Sequence, residues 1–479
     1  MEIKSKDNIL KYTIFFVILL GLIIRTVLFL QNDSLWNDEG LLALNLMEKS
    51  FWELTKSLNY IQAAPCGFLL LTKALIQILN PASDYTRDFI LRIIPYLTGC
   101  SALILFYYLT LKLCLNKKAQ IIALAFFSFS PIPNFYCAEF KQYSVELFVS
   151  VLLMLIFYKI LYERKFKFYY FVIISIVPWF SYSSYFILLP YLLTSFFVDK
   201  KKTLLGIIPV LISNVCYYLI SLQDVFSKSK LDLDSWWSNS YGMLDIIHPY
   251  RLILRLPVLF IRPESKILLT IMGLLLFYII IKYYFETLRT KDYVKQVFLF
   301  GPFVLTIIAS LFDLYPYASR LILFLLPYYC LYVASLTGKK SIFLQLFIFL
   351  FMLVCIPFCN YDFSYKPYSV SRDIISYIKN NYNQNDKILS DGSGEHYYYL
   401  KVNDINLPVE ITPNSCFTGD YVACSEFLLN KLPIGEYFYI SHFYHDKVKV
   451  LKTSGLKFET IKIGNKKGNF ASIVHFRKG

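Results

Sequence analysis

The chain has 479 residues, of which 57% are hydrophobic and 18% aromatic, and it carries a formal net charge of +15. Its mean hydropathy of +0.50 is too apolar for a soluble protein of this length, so part of its surface must face lipid. The positive charge lies mostly in short clusters between apolar runs. That pattern is typical of cytoplasmic membrane loops and disfavours nucleic acid as a partner.

Apolar runs predict an α-helical multi-pass membrane protein with eleven transmembrane helices. Several runs are shorter than the roughly 20 residues that cross a bilayer squarely. No small-residue cleavage site follows the first run, so we expect an uncleaved span. The predicted spans are Ile9–Leu30, Phe89–Leu111, Ala119–Pro133, Phe140–Leu161, Phe168–Phe180, Ser184–Val198, Thr203–Leu222, Ile267–Phe285, Val297–Leu311, Leu321–Ala334 and Ile342–Phe358.

Basic clusters set the orientation of these spans. With eleven spans, all clusters fall on the side of the N-terminus, which the positive-inside rule assigns to the cytoplasm. Everything from Asn360 onward is then outside, together with the loops Gln31–Asp88, Asn134–Glu139, Gln223–Lys266 and Phe312–Arg320. The clusters are Lys4/Lys6/Lys11, Lys112/Lys117/Lys118, Arg164/Lys165/Lys167, Lys200/Lys201/Lys202, Arg289/Lys291/Lys295 and Lys339/Lys340.

The positions of the basic clusters also decide how two doubtful segments are interpreted. Cys66–Leu79 is apolar but short, and it carries Lys73 and Gln77. Counted as a span, it would place every later basic cluster outside, so we interpret it as an interfacial or re-entrant helix. Phe168–Val198 has basic clusters at both ends, which predicts two short spans that turn outside near Ser181-Tyr182-Ser183.

The polarity of the sequence divides the chain into a transmembrane domain, residues 1–360, and an external soluble α/β domain, residues 361–479. Ser371 is expected to cap a helix with Ile374, Ile375 and Ile378 on one face. The last two of four strand-like stretches flank the turn Gly464–Gly468 in a predicted hairpin. The strand-like stretches are Lys387–Leu389, Tyr437–Ser441, Leu456–Ile463 and Ser472–Phe476.

Three polar features of this C-terminal region give weaker indications. Gly392-Ser393-Gly394 lacks the third glycine and the following helix of a dinucleotide-binding motif, so we interpret it as a loop. His442 and His445 have loose metal spacing, but no nearby Cys or second pair completes a site. Cys416 and Cys424 could form a disulfide in an oxidising compartment, although spacing alone cannot fix one.

An acidic pair, Asp38-Glu39, follows the first apolar run within Ser34-Leu35-Trp36-Asn37-Asp38-Glu39-Gly40. These carboxylates can cap the helix that continues to Met47, which stabilises it by about 0.5–2 kcal/mol. The same helix terminus would keep a carboxylate ionised and able to take the proton of an acceptor hydroxyl. Spacing alone favours the capping role, and the two roles are compatible.

This acidic pair opens an ordered series of motifs that resembles the bacterial GT-C membrane glycosyltransferases of the protein O-mannosyltransferase and aminoarabinose-transferase type. The similarity covers roughly residues 9–360, and a C-terminal external domain is also usual in that family. The family's first-loop aspartate is its catalytic carboxylate, which matches Asp38. The series is Trp36-x-Asp38-Glu39, Gln62-Ala63-Ala64-Pro65-Cys66-Gly67-Phe68-Leu69, Arg92-Ile93-Ile94-Pro95, Glu139-Phe140-Lys141-Gln142-Tyr143-Ser144 and Arg320-Leu321 through Pro327.

The resemblance also implies roles for other residues of the series. Glu39 or Glu139 would assist Asp38, while Lys141, Arg320 or Arg92 would hold the donor phosphate. Lys141 stands where the family often has arginine, so it would act as a point charge without bidentate geometry. The alternative for these cations is snorkelling to the lipid headgroups. Trp36 and Tyr143 are candidate substrate contacts, whereas Trp236 and Trp237 are more simply membrane anchors.

The resemblance implies transfer of a sugar from polyprenyl phosphate to a hydroxyl of a glycan, lipid or protein acceptor on the external face, with inversion at the anomeric carbon. No cofactor is expected, and no second carboxylate cluster indicates a metal. A polysaccharide polymerase or ligase is a related alternative. A lipid-linked saccharide flippase or transporter is another, although the paired halves usual in transporters are not visible. Abundant Lys, Ile, Asn, Phe and Tyr suggest an AT-rich bacterial genome, hence a bacterial inner membrane.

Overall fold

The computed structural model describes residues 2–114, 116–225, 227, 242–260, 266–318, 320–335, 371–381, 387–390, 394–403, 405, 409–411, 435–440, 457–464 and 470–478. Contacts between residues divide the chain into two compact units. The helical unit comprises Met1–Gln31, Phe51–Leu75 and Arg92–Tyr361, and the α/β unit comprises Asn32–Ser50, Ile76–Leu91 and Asp362–Gly479. The α/β unit therefore combines two parts of the predicted first external loop with the C-terminal residues.

Helices dominate the described residues. Short 3-10 segments occur at Glu53–Thr55, Val177–Trp179, Leu256–Leu259 and Leu323–Leu325, and a π-helical segment occurs at Tyr218–Leu222. The α-helices are α1 Glu2–Gln31, α2 Asn37–Glu48, α3 Cys66–Leu79, α4 Asp84–Leu113, α5 Lys117–Phe129, α6 Pro131–Tyr136, α7 Tyr143–Leu161, α8 Phe168–Ile176, α9 Ser184–Val198, α10 Lys200–Tyr217, α11 Tyr250–Arg255, α12 Lys266–Arg289, α13 Tyr293–Leu311, α14 Leu326–Ser335, α15 Ser371–Asn381 and α16 Gly394–Val402.

Within the described part of the chain, six helices are long and apolar enough to cross a membrane by length and composition. They coincide with six of the predicted spans, and α8, α9 and α14 form shorter apolar helices where three more were expected. The prediction of a helical multi-pass membrane protein is confirmed, and the count of eleven spans stays a prediction. The predicted span Ile342–Phe358 lies outside the described residues. The candidate spans are Asp7–Gln31, Asp84–Leu113, Tyr143–Leu161, Lys200–Val225, Leu269–Arg289 and Tyr293–Leu311.

The predicted span Ala119–Pro133 is wrong in its extent, because the helix breaks at Ser130. Pro131 has no backbone N–H and cannot donate to the carbonyl of Phe127, so α5 ends and α6 starts in a new direction. The guanidinium of Arg25, fully buried in α1, donates to the oxygens of Phe127 at 3.1 Å and Ser128 at 3.4 Å. This arginine lies in a candidate membrane span. It donates to two buried carbonyl groups at the point where the proline interrupts the helical hydrogen bonds.

Helices α1 and α5 lie very close together at this break. A Cβ added at Gly21 would lie 2.8 Å from the Cβ of Ser128, so only glycine lets α1 pack this tightly against the end of α5. Asn134 of α6 donates to the same Ser128 carbonyl at 2.9 Å. These contacts fix the path by which the chain leaves α6 towards residues 137–142.

The predicted span Phe140–Leu161 also starts too early. The N–H of Lys141 donates to the oxygen of Glu139 at 2.8 Å, which bends the chain into a tight turn, and α7 begins only at Tyr143. Hydropathy cannot detect this boundary, because Phe140 is as apolar as the helix that follows. Glu139 and Lys141 therefore lie on a turn.

The α/β unit contains a five-stranded mixed sheet in the order β2-β1-β3-β5-β4. β1 pairs parallel to both β2 and β3, while β5 pairs antiparallel to β3 and β4. Helix α16 connects β1 to its parallel neighbour β2, as a parallel crossover requires. The strands are β1 Lys387–Ser390, β2 Val409–Ile411, β3 Gly435–Ile440, β4 Phe458–Gly464 and β5 Phe470–Lys478.

The predicted C-terminal α/β fold is confirmed in several elements. α15 begins at Ser371 and buries Ile374, Ile375 and Ile378, as the periodicity indicated. All four predicted strands form, and the last two pair as the expected antiparallel hairpin. The statement that no helix follows Gly392-Ser393-Gly394 is wrong, since α16 begins at Gly394. Helix α16 is rich in tyrosine and largely buried, so it has no amphipathic pattern that would identify it from the sequence.

Candidate functional site

The residues predicted to form the site fall in both units. Trp36, Asp38 and Glu39 belong to the α/β unit. The helical unit contains the other predicted site residues, which are Arg92, Glu139, Lys141, Tyr143 and Arg320. The predicted base and the predicted phosphate ligands are therefore parts of different units.

The acidic pair lies in the first turn of α2. Trp36 occupies the N-cap, and its carbonyl accepts the first helical bond from the N–H of Gly40 at 2.9 Å. Glu39, fully buried, accepts the N–H of Trp36 through Oε2 at 3.3 Å. This is half of a capping box; the other half is impossible because the Trp36 indole offers no acceptor. Glu39 thus makes a capping contact, while Asp38 is half-buried at the second helical position.

The segment just before α2 is held by Arg372 of α15. Its backbone N–H donates to Oγ of Ser34 at 3.2 Å, and its guanidinium donates to the carbonyl of Asn32 at 2.8 Å. The guanidinium also pairs with the fully buried carboxylate of Asp88 in α4 at 3.1 Å. It lies 5.0 Å from the ring centroid of Tyr85, close enough for a cation–π contact.

A tyrosine hydroxyl completes this network. Tyr399 of α16, fully buried, donates to Oδ2 of Asp88 and accepts the N–H of Leu35 at 2.8 Å. Burial, reinforced by the negative charge of Asp88, raises the pKa of the Tyr399 hydroxyl well above its usual value. The hydroxyl therefore stays protonated and serves as donor and acceptor at once.

The sequence alone does not predict the network of Asp88, Arg372 and Tyr399. Asp88 lies at the end of the predicted first loop, and the other two residues belong to no motif. Arg372 and Tyr399 are 284 and 311 positions from Asp88 along the chain. A single sequence gives no signal for pairing across such a separation.

In the helical unit, Lys141 is almost completely enclosed by protein, with 4% of its surface exposed. Its Nζ donates to Oε1 of Gln62 at 2.8 Å, and the neighbouring Gln142 donates through its side chain to the carbonyl of Ala63 at 3.3 Å. The hydroxyl of Tyr182 donates to the carbonyl of Ala64 at 3.0 Å. The motif around Lys141 and the motif that begins at Gln62 are therefore brought together.

Glu139 and Tyr143 flank this lysine. Glu139 is fully buried, and Tyr143 is 5% exposed. The ring of Tyr143 packs edge-on against Tyr136, with 4.8 Å between the ring centroids. The three candidate side chains Glu139, Lys141 and Tyr143 are thus all buried, in the turn before α7 and at its first residue.

Two arginines complete the predicted set. Arg92 is fully buried in α4. Arg320 is half-buried in the turn before α14, where the carbonyl of the next residue, Leu321, accepts the hydroxyl of Tyr315 at 2.8 Å. The turn itself is therefore anchored by a half-buried tyrosine.

Other predicted features lie outside the described residues, namely Trp236, Trp237, Cys416, Cys424, His442 and His445. Among the residues that are described, no group of three or more His, Cys, Asp or Glu side chains could hold a metal ion.

No protein-family model matches this sequence, and no curated protein matches it either. Solved structures do share its fold. ArnT from Cupriavidus metallidurans bound to undecaprenyl phosphate aligns with a TM-score of 0.54 at 11% identity, over 96% of this chain and 97% of that chain. Its apo state aligns with a TM-score of 0.51 at 9% identity, with the same two coverages of 96% and 97%.

An archaeal protein aligns over a similar share of the chain. The oligosaccharyltransferase AglB from Archaeoglobus fulgidus, in complex with an inhibitory peptide and a dolichol-phosphate, has a TM-score of 0.50 at 14% identity, over 96% of this chain and 74% of that chain. These structures are GT-C membrane glycosyltransferases, and this chain has the GT-C fold. The resemblance seen in the sequence is confirmed for the fold.

Proposed function

We propose that this protein is a membrane glycosyltransferase that moves a sugar from a polyprenyl-phosphate donor to a hydroxyl acceptor. The observation that carries the proposal is the fold, shared over 96% of the chain with a protein bound to undecaprenyl phosphate and with another bound to a dolichol-phosphate. The motif order that suggested the same reaction is independent of that comparison.

In this proposal Asp38 is the general base. The acceptor hydroxyl gives its proton to Asp38, its oxygen forms a bond to the anomeric carbon, and the bond from that carbon to the phosphate oxygen breaks. In-line attack inverts the anomeric configuration, and polyprenyl phosphate leaves. Glu39 accepts the N–H of Trp36 and so makes a capping contact at the start of α2. Glu139 is the second candidate carboxylate.

Cations of the helical unit hold the donor phosphate. Lys141 and Arg320 are proposed as its ligands, with Arg92 a more structural candidate. The enclosure of Lys141 supports this role, because a snorkelling lysine would extend to solvent or headgroups instead. Charge-assisted contacts to the phosphate would help the leaving group accept negative charge. Tyr143 and Trp36 are proposed to contact substrate.

The membrane arrangement is part of the proposal. We propose eleven spans, the N-terminus in the cytoplasm, the division into residues 1–360 and 361–479, and a site that faces the exterior of a bacterial inner membrane. The donor class is a polyprenyl-phosphate sugar, and the acceptor is a glycan, lipid or protein.

The decisive experiment compares cell-envelope glycans and lipids with and without the gene by mass spectrometry. Loss of one sugar from one envelope component is expected. Purified protein, supplied with that envelope component as acceptor, should then release free polyprenyl phosphate from the lipid-linked sugars extracted from the source cells. Movement of intact lipid-linked sugar across vesicles without release of polyprenyl phosphate would favour a flippase instead.

A further inference from the structure

The backbone immediately before α2 is fixed by side chains from distant parts of the sequence. Arg372 donates to the carbonyl of Asn32 at 2.8 Å, and the hydroxyl of Tyr399 accepts the N–H of Leu35 at 2.8 Å. Asn32 also has a left-handed φ of 41°, an unusual conformation that asparagine tolerates and that neighbouring contacts must maintain. The two bonds therefore fix both ends of a four-residue segment that leads into the turn with Asp38.

Asp88 links Arg372 and Tyr399 in one hydrogen-bond network. Its carboxylate is fully buried and receives both the guanidinium of Arg372 and the hydroxyl of Tyr399. A buried charge of this kind is costly unless its partners stay in place, so the network resists rearrangement. Helix α16, which carries Tyr399, packs along α2, and the exposed pair Lys401–Glu48 joins the far end of α2 at 2.6 Å.

We propose that Arg372 and Tyr399 are positioning residues for Asp38. They act through Asp88 and the Asn32–Leu35 backbone to hold the first turn of α2, and with it the carboxylate that takes the acceptor proton. The inference rests on the proposed function, in which Asp38 is the base. It gives the C-terminal α/β residues a part in the reaction without contact with substrate.

The test uses full-length protein in vesicles, with polyprenyl-phosphate-linked sugars extracted from the source cells as donor and an envelope extract of cells that lack the gene as acceptor. Release of free polyprenyl phosphate is the signal. Tyr399→Phe keeps the ring and removes the two hydrogen bonds, and Arg372→Lys keeps the charge and loses the forked geometry. Each should lower kcat roughly ten- to hundredfold with little change in the donor KM, because a displacement of about 1 Å can cost that much in rate. Lys401→Ala, which removes only the exposed pair, should stay within twofold of wild type.

A double-mutant cycle with Asp38→Asn separates positioning from general stability. If Tyr399 acts through Asp38, Tyr399→Phe should cost little further rate once Asp38 is replaced. Hydrogen exchange should rise within residues 32–40 and stay unchanged in the sheet. Normal turnover in both positioning variants, fully additive losses, or exchange that rises throughout the α/β unit would each overturn the inference. Normal turnover in Asp38→Asn would instead overturn the proposed role of Asp38 as the base.

Discussion

Nζ of Lys141 and Oε1 of Gln62 form a hydrogen bond of 2.8 Å between residues that are 79 positions apart. The contact joins the turn before α7 to the part of the first loop that belongs to the helical unit. It also holds the ammonium group of a lysine inside the protein, where only 4% of the residue's surface is exposed.

Under the proposed function, in which Lys141 binds the donor phosphate, Lys141→Ala should weaken binding of undecaprenyl phosphate roughly ten- to hundredfold, since a hydrogen bond to a charged group is worth about 1.5–3 kcal/mol. Arg320→Ala should have an effect of similar size. Binding can be measured by native mass spectrometry of the purified protein over a titration of the lipid. Lys112→Ala is a suitable control, because Lys112 is half-exposed and pairs with Glu163 at 3.1 Å. If both single variants bind the lipid as wild type does, other residues hold the phosphate.

Arg25 should be a stability residue. Arg25→Ala would remove the side-chain donor to the buried carbonyl of Phe127, at a cost of about 1–3 kcal/mol for an unsatisfied group, whereas the carbonyl of Ser128 keeps Asn134 as a donor. Thermal unfolding in detergent should show a clear loss in Tm for Arg25→Ala and a smaller loss for Arg25→Lys. Thr13→Ala on the exposed face of the same helix is the control. An unchanged Tm in Arg25→Ala would mean that the carbonyls at the Pro131 break find other partners.

The orientation of the chain can be tested with reporters. A reporter that is active only in the cytoplasm should give a strong signal when fused at Gly338 and none at Gly479, because an odd number of spans separates the two faces. Strong signal at Gly479 would contradict the eleven-span arrangement. It would also reopen the interpretation of Cys66–Leu79, which forms α3 with the predicted bounds.

The sequence predicts those parts of the structure that depend on residues close together in the chain. Apolar runs and strand alternation are local, so most helices and four of the five strands were found. Hydropathy does not predict the break at Pro131 or the turn at Lys141. Both depend on individual backbone hydrogen bonds, which a hydropathy average over many residues does not detect. The sequence does not predict α16, because its buried residues lie on nearly all sides of the helix and give no amphipathic pattern.

The candidate site shows the same division. The order of motifs along the chain predicts roles in the reaction for Asp38, Glu139 and Lys141, and those roles stay predictions. Which carboxylate of the acidic pair makes the capping contact could not be predicted, since it depends on whether the residue at N3 reaches back to Trp36. The pairing of Asp88 with Arg372 was equally inaccessible, because nothing local in either segment specifies the other.

The central prediction concerns the acidic pair. Asp38→Asn keeps the size of the side chain but removes the ability to take a proton, so the rate should fall on the order of 10²–10⁴-fold while lipid binding and folding persist. Glu39→Gln is the matched control, because its amide oxygen can still accept the N–H of Trp36 and preserve the start of α2. It should change turnover far less. Release of polyprenyl phosphate measures the rate, and thermal unfolding measures the stability of the fold.

Asp38→Asn protein that retains roughly a tenth or more of the wild-type rate would refute the role of Asp38, given the usual size of a general-base effect. A large loss in Glu39→Gln with an intact fold would move the base to Glu39, and normal rates in both variants would direct the search to Glu139.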